Sequence, residues 1–355
     1  MSNHNEKTNI GISIGDYNGV GLEVVLKTFA DNRIFKDFSV IIYASSKVVN
    51  YHKKNLGLND VNFQIINNID DAKNKDLYVL NCWEEDLTIE FGKITKQAGE
   101  YALKSLSAAT EHLKLGKLAA LVTAPLNKHN IQSDSFKFPG HTEYLQNAFG
   151  AKDHLMILCN ENIRVGLVTG HIPISEVASK LNKDSIISKA QIFIKSLTQD
   201  FGIRKPKIAI LGLNPHAGDN GLIGKEEQDI IMPAIESLKN QNHIVYGPFG
   251  ADGFFGSGAY AKFDGVLAMY HDQGLIPFKT LAFSTGVNFT AGLPIVRTSP
   301  DHGTAYDIAG KNLADFDSFK AALYMAIDIF SHRKMNKELT NNPLKSSAIR
   351  YEKDN

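Results

Sequence analysis

Residues 9–30 read NIGISIGDYNGVGLEVVLKTFA, and their order decides the fold class. Alternating isoleucines (Ile10, Ile12, Ile14) mark a strand over 9–14, which passes through Gly15, Gly19 and Gly21 into a helical pattern over 21–30. Outward from this unit the same alternation recurs. Short β-branched runs predict strands over 39–43, 61–66, 77–80, 118–123, 155–158, 165–169, 207–213 and 265–269. Longer patterns predict helices over 96–115, 226–241 and 316–333; in the first, Ala102, Leu103, Leu106, Ala109 and Leu113 share one face. Strands alternating with helices build an α/β fold of mostly parallel sheets covered by helices. Residues 334–355 are polar and read as a surface or frayed tail.

A chain of 355 residues exceeds what one core usually supports, so two α/β/α domains around a cleft are expected. The Pro/Gly segments 123–140 and 286–294 are the natural crossings. They give one domain of 1–135 plus 290–355 and another of 136–289. The 38 basic and 38 acidic side chains cancel, which argues against nucleic acid or an anionic membrane as partner. Cys82 and Cys159 are too few for a disulfide framework and lack CxxC spacing. The polar start MSNHNEKTNI has no apolar leader, and no run is long enough to span a bilayer. The expectation is a soluble cytoplasmic protein.

Ligands of open α/β sheets bind at the carboxyl ends of strands. The first such end, G-D-Y-N-G-V-G over 15–21, is either an anion site at a helix start or a plain tight turn; its spacing is not the dinucleotide GxGxxG. Residues 218–225 imitate a phosphate loop, but Glu226 replaces the Ser or Thr that would hold Mg²⁺ and the glycines are one residue too far apart, which excludes a nucleoside triphosphatase. His171, His216 and His271 each follow a predicted strand by two or three residues. If folding gathers them, three imidazoles bind one divalent metal and leave positions open for substrate; taken singly, each is an ordinary loop histidine. His141 and Thr142 open a helix, where they either face an anion or, for Thr142, simply cap residues 143–149. Lys279, Asn288 and Arg297 stand in a segment rich in Gly, Phe, Thr and Pro, and suit a phosphate or carboxylate.

Taken in order, G-D-Y-N-G-V-G, V-T-A-P-L-N-K (122–128), G-H-T-E-Y-L (140–145), T-G-H (169–171), G-L-N-P-H-A-G (212–218), A-M-Y-H-D-Q-G (268–274), G-V-N-F-T-A-G-L-P (286–294) and R-T-S-P-D-H-G-T-A (297–305) resemble the 4-hydroxythreonine-4-phosphate dehydrogenase family from about residue 9 to 330. The resemblance implies an isocitrate/isopropylmalate dehydrogenase-like fold and a homodimer with a shared active site. It also implies NAD and one divalent cation (Zn, Mg or Co) held by His171, His216 and His271, with a small phosphorylated substrate held by His141, Thr142, Lys279, Asn288 and Arg297. The stretch with His302, Gly303 and Asp307 resembles the adenosine-binding loop of those relatives. Asp272 and His141 are the two candidate proton acceptors. Within the motifs, Tyr17-Asn18 replaces the usual Pro-Ala after Gly-Asp.

The implied reaction is oxidation of 4-phosphooxy-L-threonine, followed by loss of CO₂, in pyridoxal 5'-phosphate synthesis. The rivals are a paralogous 4-phospho-D-threonate or erythronate dehydrogenase and, more remotely, a metal-free phosphate acyltransferase.

Overall fold

The computed structural model, which describes residues 8–35, 38–74 and 76–341, places the strand read from residues 9–14 inside a block of parallel strands. Among the described residues, twelve strands form one sheet. They are β1 (Asn9–Ser13), β2 (Ser39–Ala44), β3 (Gln64–Ile66), β4 (Leu77–Asn81), β5 (Ala120–Thr123), β6 (Leu155–Cys159), β7 (Arg164–Leu167), β8 (Lys207–Leu211), β9 (Ile244–Phe249), β10 (Gly265–Ala268), β11 (Val287–Ala291) and β12 (Arg297–Pro300). The spatial order is β3-β4-β2-β1-β5-β12-β11-β6-β7-β10-β8-β9. All neighbours from β3 to β12, and all from β7 to β9, are parallel. Three antiparallel pairings through β11 and β6 join these blocks, so the two blocks run in opposite directions. The chain leaves the first block after β5 and returns to it at β12.

The helices are α1 (Gly21–Thr28), α2 (Ser46–Asn55), α3 (Lys96–Lys114), α4 (His141–Ala148), α5 (Ile174–Lys180), α6 (Lys183–Gln199), α7 (Met232–Asn240), α8 (Ala251–Gly256), α9 (His271–Ala282) and α10 (Asp317–Thr340). Side chains alternate across a strand, so each face of the sheet needs its own cover. On one face Ile10, Ile12, Val40, Ile42, Ile157, Ile208, Ile210 and Leu267 pack into a continuous core with residues of α1, α6, α7 and α10. On the other, Ile41, Tyr43 and Leu121 meet α3, while Val165, Leu167, Val266 and Ala268 meet α9. Burying one such side chain contributes about 1.5–3 kcal/mol, which holds both layers against the sheet.

Several expectations change. Residues 334–340 continue α10, almost all of them exposed, so the surface reading holds and the frayed one does not; residues 342–355 lie outside the described residues. The helix expected over 143–149 begins at His141 with Gly140 as its cap, so Thr142 lies within the first turn and is not the cap. α2, α5, α6, α8 and α9 escaped the sequence reading, as did β9, β11 and β12. Among the described residues no helix is long and apolar enough to cross a membrane.

Candidate functional site

The first strand end is closed. Gly15 adopts φ +64°, and a Cβ there would stand 2.0 Å from the Pro125 carbonyl, so only glycine allows this approach. Asp16 is fully buried, and its carboxylate accepts from Asn18 N (2.9 Å), Asn130 Nδ2 (2.7 Å) and the Tyr306 hydroxyl (2.8 Å). Asn18, also buried, accepts from Glu90 N and donates to Lys93 O and Thr95 Oγ1. The Val20 N–H at the start of α1 donates to Thr304 O at 3.0 Å. With the N–H groups of Asp16, Asn18, Gly19 and Val20 paired inside the protein, this turn favours the plain-turn reading over the anion site.

A cavity of about 370 Å³ opens nearby. Its wall includes His141, His171, Lys279, Asn288, Arg297 and His302, with Gly303 also contributing. Arg297 starts β12 and is 3% exposed; its Nε and Nη2 donate to Thr123 Oγ1 (3.1 and 2.7 Å) and its Nη1 to Thr290 Oγ1 (3.2 Å). Burial pushes its pKa down to about 10, opposed by Glu143, so it stays cationic at neutral pH. No carboxylate pairs with it directly among the described residues, which leaves its charge for an anion in the cavity. Lys279 on α9 pairs with Asp301 at 3.3 Å, and burial raises the Asp301 carboxyl while Lys279 opposes the rise. Among the described residues the Asn288 side-chain oxygen and His302 Nε2, both buried, find no partner; the His302 Nδ1–H donates to Gly303 O at 3.0 Å. Burial, then Arg297 and Lys128, hold His141 well below the usual imidazole range, so it is neutral at pH 7.

The three strand-end histidines fall on neighbouring parallel strands, since β10 lies between β7 and β8. The rings of His171 and His271 stand 5.4 Å apart between centroids. Two imidazoles on one zinc ion, each nitrogen about 2.1 Å from it, hold their ring centres roughly 5 Å apart. His271 Nδ1 lies 2.7 Å from Asp272 Oδ1, an arrangement that fixes the proton on Nδ1 and leaves Nε2 free as a ligand. Partial desolvation, Lys128 and His271 lower the His171 pKa, favouring the neutral ring that binds metal. His216 is exposed on the next strand end; among the described residues no three His, Cys, Asp or Glu side chains stand close enough together to hold an ion. The chemistry of His171 and His271 suits a divalent cation, but within this chain no third ligand stands beside them among the described residues.

Of the expected residues, Thr142, His216, His271, Asp272 and Asp307 do not line the cavity. Asp307 is exposed in the segment 301–310, whose early residues wall the cavity and whose later ones lie against the closed glycine turn through Thr304 and Tyr306. Sequence reasoning missed Lys128, Thr123 and Asp301, all in the cavity wall. For Lys128 a signal existed: it lies in V-T-A-P-L-N-K, beyond the carboxyl end of β5, where the strand-end rule points.

The model of the pyridoxal phosphate biosynthetic protein PdxA family matches residues 36–326. A 4-hydroxythreonine-4-phosphate dehydrogenase of Bacteroides thetaiotaomicron is 53% identical, over 98% of this chain and 95% of its own length. A protein of Oceanobacillus iheyensis, provisionally assigned as a D-threonate 4-phosphate dehydrogenase, is 36% identical over 91% of this chain and 98% of its own. The crystal structure of 4-hydroxythreonine-4-phosphate dehydrogenase from Klebsiella pneumoniae superposes with a TM-score of 0.78 at 34% identity, covering 93% of this chain and 99% of that one.

Proposed function

The chain belongs to the PdxA family of pyridoxal phosphate biosynthetic proteins, and we propose that it oxidises 4-phosphooxy-L-threonine with NAD and one divalent cation. The product, 2-amino-3-oxo-4-phosphooxybutanoate, then loses CO₂ to give 3-amino-2-oxopropyl phosphate. The observation that carries this reading is the cavity wall, where Arg297, Lys279 and Lys128 surround a space suited to a small substrate bearing a phosphate and a carboxylate.

In this reading Arg297 and Lys279 anchor the anionic ends, and Asn288 offers its unpaired oxygen to a donor on the substrate. His171 and His271, with His216 as third ligand, hold a zinc, magnesium or cobalt ion, and Asp272 orients His271. When bound, the cation supplies Lewis-acid polarisation of the substrate oxygen and NAD supplies the hydride acceptor. Of the two candidate proton acceptors, His141 lines the cavity and Asp272 does not, so His141 takes that role in this reading. His302, with its unpaired Nε2, and Gly303 meet the cofactor, and the exposed Asp307 carboxylate accepts from its ribose. Carboxylate at that position disfavours a 2'-phosphate, hence NAD over NADP. The working unit is a homodimer, which light scattering on the purified protein checks.

The 36% identical Oceanobacillus protein favours one alternative, a substrate carrying hydroxyl in place of the amine. NADH formation measured in parallel on 4-phosphooxy-L-threonine, 4-phospho-D-threonate and 4-phospho-D-erythronate separates the two. Turnover of the amino acid at the highest kcat/KM is expected; turnover of the sugar acids alone would overturn the proposal.

A further inference from the structure

A second cavity, larger than the first, lies away from the candidate site. It encloses about 890 Å³ and shares no wall residue with the cavity that holds Arg297 and Lys279. Residues 292–294, the turn between β11 and β12, form part of its wall, whereas the candidate site uses the other end of the same hairpin at Asn288, Ser299 and Asp301. Gly292 permits this turn: it adopts φ +88°, and a Cβ there would stand 2.9 Å from Asp153 O, so the hairpin closes directly onto the segment that enters β6.

Two helices form the sides. α6 contributes Ser188, Gln191, Lys195 and Gln199, and α10 contributes Arg333, Asn336, Lys337 and Thr340, each set at the spacing of one helical face. Helix faces that meet inside a fold are normally apolar, because their burial is what holds them together. Here Ile192 is the one apolar side chain that either helix gives to the wall, and the cleft between them stays polar.

The charges of the wall are one-sided. Asp153 is taken by Lys189, which stands outside the wall, at 2.6 Å. Asp200, 3% exposed, accepts from Arg333 Nε at 2.6 Å and from Ser196 Oγ at 2.7 Å. Arg333 Nη1 also donates to Leu293 O at 3.2 Å, so its guanidinium is fixed in place by the protein itself. Lys152, Lys195 and Lys337 complete the wall, and among the described residues none of them pairs with a carboxylate. Ammonium groups drawn from three separate segments around one cleft repel each other, in a chain whose 38 basic and 38 acidic side chains otherwise cancel. An anion in the cleft relieves that repulsion.

We propose that this cleft is a second binding site, for a small polyanion bearing phosphate groups and of about nucleotide size. Its volume falls within the range of small-molecule sites, roughly 300–1,000 Å³. The lysines meet phosphate oxygens as point charges, and the amides of Gln199 and Asn336 offer both donors and acceptors. Phe149, Ile192 and Pro294 supply apolar surface on which a ring can rest. Because the cations come from ahead of β6, from α6 and from α10, a ligand with several charges engages more of them than a single phosphate does.

The test is calorimetric titration of the full chain, at low salt, with ADP and separately with inorganic pyrophosphate. At least one probe should bind, and the double variant Lys195→Gln/Lys337→Gln should bind it at least about 10-fold more weakly. Both lysines are exposed, so this variant should keep the wild-type circular dichroism and the wild-type rate of NADH formation without probe. Arg297→Gln and Asp307→Ala, which alter the candidate site and its cofactor segment, should leave the same binding event unchanged. Tighter binding of ADP assigns the site to nucleotides, and equal or tighter binding of pyrophosphate assigns it to phosphate groups alone; either supports the site. No binding of either probe at millimolar concentration, or binding lost in Arg297→Gln or Asp307→Ala and kept in the lysine variant, would overturn it.

Discussion

Two sets of strand ends in this molecule have the same local grammar and opposite uses. After β1, the turn over residues 15–21 is sealed: Asp16 and Asn18 are fully buried and their polar atoms are consumed by residues 90–95, 130 and 306. After β7, β8 and β10, the chain is fixed two residues upstream while His171 and His216 are exposed and His271 half-buried. A glycine-bearing turn after a strand is thus a scaffold where its polar groups find partners in the protein. It is a candidate site where the anchoring stops short of the side chain.

This contrast predicts that the open ends carry activity and the sealed end carries stability. The largest effect is expected from His171→Ala and His216→Ala, which should each lower the rate of NADH formation at least about 1000-fold, or roughly 4 kcal/mol. Their unfolding free energies in urea titrations should stay within about 0.5 kcal/mol of wild type, because both side chains are exposed. Asp16→Ala should do the reverse: stranding Asn130, Tyr306 and the Asn18 N–H should lower unfolding free energy by about 3 kcal/mol in urea titrations, with metal affinity retained.

A pH effect of intermediate size belongs to the sealed side. His52 is 1% exposed, its Nε2 finds no partner among the described residues, and burial lowers its pKa from 6.5 to about 4. The native state therefore keeps it neutral while the unfolded chain takes up a proton below about pH 6.5. Its contribution is complete above that pH and is lost as pH falls toward 4, amounting to about 2 kcal/mol by pH 5. Urea titrations at pH 7 and pH 5 should show this loss, and His52→Gln should remove that part of it. The smallest effect concerns the cavity: Thr123→Val deprives Arg297 of the acceptor for Nε and Nη2, and should raise substrate KM about 10-fold with kcat nearly unchanged.

The alternation of β-branched runs and helical patterns made the α/β class legible, because burial on both faces demands it. The placement of His171, His216 and His271 after strands was legible for the same reason. Their adjacency was not: separations of 45 and 55 residues say nothing about β10 lying between β7 and β8, which depends on crossover connections. β11 (VNFTA) and β12 (RTSP) are short and partly polar, and become strands only because β6 and β5 supply ladders on either side. Yet these two strands carry Asn288 and Arg297. Gln273 and Glu227 were invisible for another reason: they bond backbone atoms of other segments, Gly212 O for Gln273 and Leu213 N and Asn214 N for Glu227, and no motif marks such a bond.

The account turns on the open strand ends of β7, β8 and β10 holding a cation that the oxidation requires. The most direct measurement is NADH formation from 4-phosphooxy-L-threonine and NAD before chelation, after chelation with removal of metal verified by elemental analysis, and after return of zinc, magnesium or cobalt. The rate should vanish with the metal and recover with at least one of the three ions. An undiminished rate in verified metal-free protein would contradict it.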